Sequence, residues 1–378
     1  MQRSQLRSIA GAAGLIAVGL LSGCASVPSH LARVPVDPTL LKQARYVEVT
    51  YTAKQPDEIA YLKRFPSSAP KIRGRSGCAP EAPDRRTVRG AWIWHTRWLV
   101  DDPHAVSGLL KRARKLHLNR LYLSVTADLA PLAPALRALQ SRGIEVYGTL
   151  GAPSDIDHWH RLDDAIAAVL AFNHLHTAGF SGFAFDIEPY VLKGFAEHRH
   201  RFYVRYARIL EKLHARLRNR LPWNLVVPFW FDQVPWRREN LLAFALREAD
   251  SITIMAYRSH YRSILALARM GLCAGQRMGK RVDLGIEMAP LKDQSHYFLT
   301  REQFERDLRT HGGQLVFAQG QPPSGHILLH YEVRGSHLSF YPHLATVAHL
   351  IGRRPPYGSF GGWIIDGLEE DARAVQNH

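Results

Sequence analysis

The sequence is poor in cysteine, with 3 in 378 residues, which excludes a small disulfide-stapled scaffold. It has no apolar run of the roughly 18–20 residues that a spanning helix needs, which excludes a multi-pass membrane protein. It contains no His-Glu-x-x-His, no Gly-x-Ser-x-Gly and no phosphate-binding P-loop. Zincin, serine-hydrolase and nucleotide-hydrolase chemistry therefore have no support. No internal repeat of about 20–50 residues and no heptad run appears. Acidic residues are also in short supply: Asp and Glu number 33 against 49 Lys and Arg, for a net charge of +16. Such a balance attracts anions of any kind. No nucleic-acid-binding motif accompanies it, so nucleic acid is not an expected partner. What remains is an ordinary globular composition, 46% hydrophobic with 28 Gly and 22 Pro, long enough for a large core.

The N-terminus points to export. Arg3 and Arg7 precede an apolar stretch at 9–21, which ends in Leu21-Ser22-Gly23-Cys24. A basic start, a short apolar segment and small residues before a cut describe a secretory signal peptide over 1–23. The last four residues resemble a bacterial lipobox. That resemblance implies that Cys24 is lipidated and becomes the first residue of the mature chain, whose charge is then +14. Ala25, rather than Asp, implies an outer-membrane destination facing the periplasm. Residues 24–88 read as a lipidated tether and linker. Pro28, Pro35 and Pro38 interrupt it early, and residues 66–88 are rich in Pro, Gly, Ser and Arg. Within it, Tyr46-Val47-Glu48-Val49-Thr50-Tyr51 alternates as a short strand would.

From Arg89 to the C-terminus the pattern becomes regular. Strand-like runs fall at 90–94, 120–125, 145–150, 182–187, 225–229, 251–257, 282–287 and 326–332. Stretches of helical period separate them, at 106–116, 132–142, 162–177, 200–220, 241–248, 262–272 and 302–311, with a last one at 344–351. Eight strands alternating with helices predict an α/β fold, a (β/α)8 TIM barrel over 89–378. A doubly wound open sheet is the rival, but the Gly-rich loop after its first strand is missing. Residues 360–366, Phe-Gly-Gly-Trp-Ile-Ile-Asp, compete with 326–332 for the eighth strand. Cys78 would precede strand one and Cys273 would lie between helix six and strand seven. Both connections belong to the same end of a barrel, so a disulfide between them is geometrically conceivable.

Catalytic groups in such barrels sit at the C-terminal ends of the strands. Strand four reads Gly182-Phe183-Ala184-Phe185-Asp186-Ile187-Glu188-Pro189. With side chains alternating, Phe183, Phe185 and Ile187 face the helices, while Ala184, Asp186 and Glu188 face the barrel axis. Neighbouring carboxylates raise one another's proton affinity, which keeps one of them available as a general acid. A solvated strand end carrying two acids is the plain alternative. The same alternation turns Thr253, Met255 and Tyr257 inward on strand six, and Asp283, Gly285 and Glu287 inward on strand seven. Trp92, Trp94 and His95 end strand one, and Trp230 and Asp232 follow strand five. Aromatics there suit sugar rings, although aromatics also fill cores. Arg258 and His330 complete the candidate substrate contacts.

These residues resemble a known family. Ser181–Glu188 is similar to the Asp-Gly-x-Asp-x-Asp-x-Glu signature of family 18 glycoside hydrolases, the chitinase-like barrels, and Met255-Ala256-Tyr257 to their Met-x-Tyr on strand six. The resemblance implies that Glu188 is the general acid, that Asp186 orients the substrate's acetamido group as internal nucleophile, and that Tyr257 supports that group. Ser181 and Ala184 stand where the signature has its first two Asp. A weaker resemblance, to the clan of retaining hydrolases that uses a Glu acid on strand four and a Glu nucleophile on strand seven, makes Glu287 the nucleophile. Glu287 as a structural partner of Arg258 is the bland reading.

Asp155, Asp157, His158 and His160 follow strand three, but no further ligand is specified, and neither a metal nor a cofactor is expected. The helix at 200–220 carries Arg201, Arg205, Arg208, Lys212, Arg216, Arg218 and Arg220. It reads as a solvated face, with an anion-binding stripe for lipid headgroups or acidic glycans as the sharper alternative. The expected protein is thus a lipid-anchored envelope barrel that hydrolyses or binds polysaccharide. A catalytically silent barrel holding glycan or a partner protein is the rival, favoured by Ala184.

Overall fold

The computed structural model describes residues 78–83, 87–291, 294–298, 317–319, 330–333 and 335–369. Cys24, the signal peptide, the alternating segment 46–51 and the helical stretch 302–311 lie outside them. In the described residues no helix is long and apolar enough to cross a membrane.

Eight parallel strands close into a barrel in sequential order: β1 (Val88–Ile93), β2 (Arg120–Ser124), β3 (Glu145–Leu150), β4 (Gly182–Asp186), β5 (Trp223–Pro228), β6 (Ser251–Met255), β7 (Arg281–Glu287) and β8 (Phe360–Asp366). The helices between them are α1 (Ala105–Lys115), α2 (Ala133–Gln140), α3 (Trp159–Leu175), α4 (Phe195–Leu217), α5 (Leu241–Glu248) and α6 (Tyr261–Met278), and α7 (Leu344–Leu350) precedes β8. This is the (β/α)8 barrel that the alternation of strand and helix patterns predicts.

The closing strand is 360–366. β8 pairs with β1 through Val88–Gly362 and with β7 through Ile365–Ile286, so it seals the sheet. The competing run is not in the barrel. Its described part, His330–Val333, lies in a three-stranded antiparallel sheet with Gln294–Phe298 and Phe317–Gln319. That sheet and the short helix Gly335–Leu338 belong to a separate compact unit, Pro290–Leu338, inserted in sequence between β7 and β8. His330 therefore does not end a barrel strand, which corrects the strand position that the sequence pattern gave it. Both runs carry apolar residues in strand-like spacing; pairing partners separate them, and one-dimensional pattern does not contain those.

Phe183 and Phe185 of β4 are wholly buried and stack on each other at 5.9 Å, with Phe185 edge-on to Trp223 at 5.7 Å. The apolar face expected to pack outward is thus consumed in packing, and the alternate face is left to the axis. The floor of the barrel is filled rather than open. Trp92 meets Tyr122 at 5.8 Å, Tyr122 meets Tyr147 at 5.6 Å, and the Arg120 guanidinium lies 4.1 Å above the Tyr147 ring. Gly90 makes room for this layer, since a Cβ there would stand 2.9 Å from the Tyr122 ring. Asp283 is buried in it, and burial raises its proton affinity, while Arg281 and Arg120 oppose the rise.

Cys78 and Cys273 are joined by a disulfide with Cα atoms 5.3 Å apart, closing a sequence separation of 195 residues. The basic stripe of α4 is partly spent inside the barrel's outer ring. Arg205 pairs with Asp157 at 2.7 Å, Arg216 with Asp163 at 2.5 Å, and Lys212 lies over the Trp159 ring. Arg201, Arg208, Arg218 and Arg220 are exposed.

Candidate active site

The C-terminal ends of β4, β6, β7, β8 and β1 deliver one cluster of polar groups. β4 ends at Asp186, and Pro189 starts a short 3-10 turn, Pro189–Val191, that carries Tyr190. Glu188 is buried, and Tyr190 donates its hydroxyl to Glu188 Oε1. Asp186 is half-buried, with its Oδ1 sealed from solvent and without a hydrogen-bond partner among the described residues. The backbone under it is crowded. Gly151, after β3, has φ +115°, and a Cβ there would stand 2.6 Å from the Asp186 carbonyl oxygen.

Electrostatics follow from that crowding. Loss of water raises the proton affinity of Asp186, the charge of Asp366 adds to it, and the carboxyl is pushed up to about 7. Glu188 is raised well above the usual carboxylate range, first by burial and then by Asp186, against a lowering from the Tyr190 hydrogen bond. A carboxyl that keeps its proton at neutral pH is able to act as an acid. Tyr257 is buried too, and its phenol is pushed up by desolvation and by Asp366, Glu287, Asp186 and Glu188 in turn.

Asp366 is the residue that the pattern reading missed. It pairs in register with Glu287. Its Oδ1 accepts Trp94 Nε1 at 2.7 Å and the backbone N–H of Gly367 at 2.8 Å, and its Oδ2 accepts the Tyr257 hydroxyl at 3.2 Å. The available signal was the strand-end rule itself, applied to 360–366. Glu369, one turn further, was missed as well; it lies 2.8 Å from His95 Nδ1. Tyr190 had no period to reveal it.

Asp186, Glu188, Tyr257, Glu287 and Trp94 are thus brought together. Glu287 is buried and accepts the Ala289 N–H at 2.6 Å. The two indoles of β1 stack, with Trp92 and Trp94 centroids 6.4 Å apart, and Trp92 is fully buried inside the barrel. Trp230 is buried against Tyr190, ring centroids 5.2 Å apart, so it supports the phenol that binds Glu188. Met255 is buried at the end of β6, and Arg258 donates to the Tyr257 carbonyl at 2.8 Å. Asp232 sits half-buried in the 3-10 turn Phe229–Gln233 after β5. Asp155 accepts the Ala152 N–H at 2.8 Å, so that acid caps a turn. Among the described residues no group of three His, Cys, Asp or Glu side chains is placed to hold a metal ion.

Fold and site together define a (β/α)8 barrel with a buried acid pair at the end of its fourth strand. No family model matches the sequence, and no curated protein matches it. Solved structures similar to it include a chitinase from Bacteroides thetaiotaomicron, at 12% identity over 74% of this chain and 89% of that one, with a TM-score of 0.41. The endo-β-N-acetylglucosaminidase of Cordyceps militaris is similar at 10% identity over 85% of this chain and 89% of that one, TM-score 0.43. The Bacillus cereus spore cortex-lytic enzyme SleL is similar at 10% identity over 92% and 93%, TM-score 0.42.

Proposed function

We propose that the barrel hydrolyses glycosidic bonds in a polysaccharide, with Glu188 as general acid. The observation that carries this reading is Glu188, buried two residues beyond Asp186 at the end of β4 and held by the Tyr190 hydroxyl, where loss of water favours its protonated form. In the step, Glu188 gives its proton to the leaving-group oxygen as the bond from that oxygen to the anomeric carbon breaks. In this reading Asp186 and Tyr257 hold an acetamido group of the substrate that attacks the same carbon, with water completing hydrolysis. Glu287 is the alternative nucleophile, for double displacement. A screen of oligosaccharides, N-acetylated and plain, with wild type and Glu188→Gln side by side tests the reading. Products formed by wild type and lost in the variant support it.

A second reading is supported by Ala184, which stands where the family signature has an Asp: a silent barrel that binds glycan or a partner protein. Binding without products across that screen would favour it. In either case the protein is anchored to the bacterial envelope through a lipid on Cys24, facing the periplasm. Cys24→Ser should abolish acyl labelling and membrane partition, and retention of both would overturn the anchor.

A further inference from the structure

We infer that the end of the barrel opposite the mouth is a docking face for an anionic phospholipid surface, which turns the acid-bearing mouth away from the bilayer. The inference goes beyond the glycan site and holds whether or not the barrel turns a sugar over.

Charge is divided between the two ends of the barrel. At the N-terminal end seven connections lead from a helix into the next strand: 116–119, 141–144, 176–181, 218–222, 249–250, 279–280 and 351–359. Asp250 is the one acid in them, and its Oδ2 accepts the Trp223 N–H at 3.0 Å. Glu145 and Glu248, next to them, are engaged by Arg120 at 2.6 Å and Arg247 at 3.6 Å, which leaves Glu81 among the described residues. Arg142, Arg218, Arg220, Arg353 and Arg354 are exposed in the same connections, joined by Arg277 from the last turn of α6. Cations answer a helix dipole within the last turn, but Arg142, Arg220, Arg353 and Arg354 lie beyond it. At the mouth the balance reverses: in the connections 94–104, 125–132, 151–158, 187–194 and 229–240 acids outnumber Lys and Arg.

Two apolar side chains stand among the cations. Leu175 and Met278 are 76% and 38% exposed, and each is the last residue of its helix, α3 and α6. Exposed Val100 and Tyr341 lie at the other end, ahead of α1 and α7. Apolar tips set in a cationic face suit an anionic headgroup layer, where the charges meet phosphates and the tips enter the acyl boundary. An acidic polysaccharide would partner the charges but leave the tips in water. The chain also arrives at this face. Cys78 is bonded to Cys273 of α6, the Gln276 amide donates to the Ala79 carbonyl at 3.1 Å, and the Glu81 N–H donates to the Pro356 carbonyl at 3.1 Å. A lipid on Cys24, 54 positions before Cys78, would therefore pull on this end rather than on the mouth.

The test is partition of the full chain onto vesicles, with Cys24→Ser throughout, so that the proposed anchor and the docking face read out separately. Vesicles of phosphatidylglycerol in phosphatidylcholine should take up more protein than phosphatidylcholine alone, and the excess should fall as salt rises. Arg218→Gln, Arg220→Gln and Arg354→Gln should each lower uptake by the anionic vesicles about fivefold, while Lys193→Gln, exposed near the mouth, should not. A spin label at Leu175→Cys should enter the region reached by oxygen but not by a water-soluble nickel chelate. One at Ala127→Cys, exposed after β2 beside the mouth, should stay in water. Uptake by anionic vesicles that no Arg variant changes would overturn the inference, as would a label that enters lipid at 127 and not at 175. Capture of the Cys24→Ser chain by polygalacturonate, weakened by the Arg variants and with no excess on anionic vesicles, would overturn it too and give the face to an acidic glycan.

Discussion

Glu369 closes over the end of β1: its Oε1 lies 2.8 Å from His95 Nδ1, and its two oxygens accept the backbone N–H groups of Trp94 and His95 at 3.3 and 3.1 Å. The carboxylate side chain is 1% exposed and the imidazole 35%. The contact through Nδ1 fixes the ring at the end of β1 and leaves Nε2 as its second polar atom.

Removing the carboxylate strands three donors in a buried place. Glu369→Ala should cost about 3 kcal/mol of stability in urea denaturation, in the range for buried polar groups left unsatisfied. His95→Ala removes a ring that is one-third exposed and should cost less than about 1 kcal/mol. If His95 contacts sugar, the same variant weakens glycan binding without that stability loss. Equal destabilisation by the two variants would contradict this division.

The acid pair stores a pH dependence with a definite sign. Asp186 is raised in the fold from 3.8 to about 7, so between those values the unfolded chain sheds a proton that the fold retains. The unfolded state then binds fewer protons, and stability falls as pH rises through that window. Glu188 is shifted in the same direction. Asp186→Asn, which cannot ionise, should therefore raise Tm relative to wild type at pH 8, with the gain shrinking towards pH 4. A Tm difference that is flat with pH would show that Asp186 titrates normally.

The disulfide ties the segment before β1 to α6. It spans 195 residues of chain, so cutting it releases a long loop in the unfolded state. Cys273→Ser should cost about 2–5 kcal/mol, measurable as a lower midpoint in denaturant. Dithiothreitol should shift wild type by a similar amount and leave the variant unmoved.

Much of this arrangement was legible in one dimension, and the exceptions share a cause. The β4 run buries Phe183 and Phe185 as a period of two predicts, whereas Glu188 lies beyond the strand end at Asp186 and caps the turn Pro189–Val191, where alternation no longer governs it. Glu145–Leu150 and Leu241–Glu248 fall where pattern puts them. The eighth strand did not resolve, because 326–332 and 360–366 both look like strands and closure is decided by pairing with β1 and β7. Losing that choice hid Asp366 and put His330 in the wrong sheet. The Arg stripe of α4 was ambiguous for the same reason: Asp157 and Asp163, which neutralise part of it, come from the region of α3 and meet it only in three dimensions.

The chemistry is separable by three substitutions read together. Removing a general acid costs about 10²–10⁴-fold in rate, so Glu188→Gln should nearly abolish turnover of any glycan that wild type cleaves, with folding and binding retained. Its Tyr190 hydrogen bond survives in the amide, which makes the variant conservative. Glu287→Gln and Asp186→Asn then divide the two routes. In the assisted route Asp186→Asn is as severe as Glu188→Gln, whereas Glu287→Gln is mild, because Glu287 forms no bond to the sugar. In double displacement the order reverses, since Glu287 would form the covalent bond to the sugar. A glycosyl adduct on Glu287, trapped with a slow fluorinated substrate and found by peptide mass, would settle for the second route. Its absence, with a deep Asp186→Asn defect restricted to N-acetylated substrates, would settle for the first.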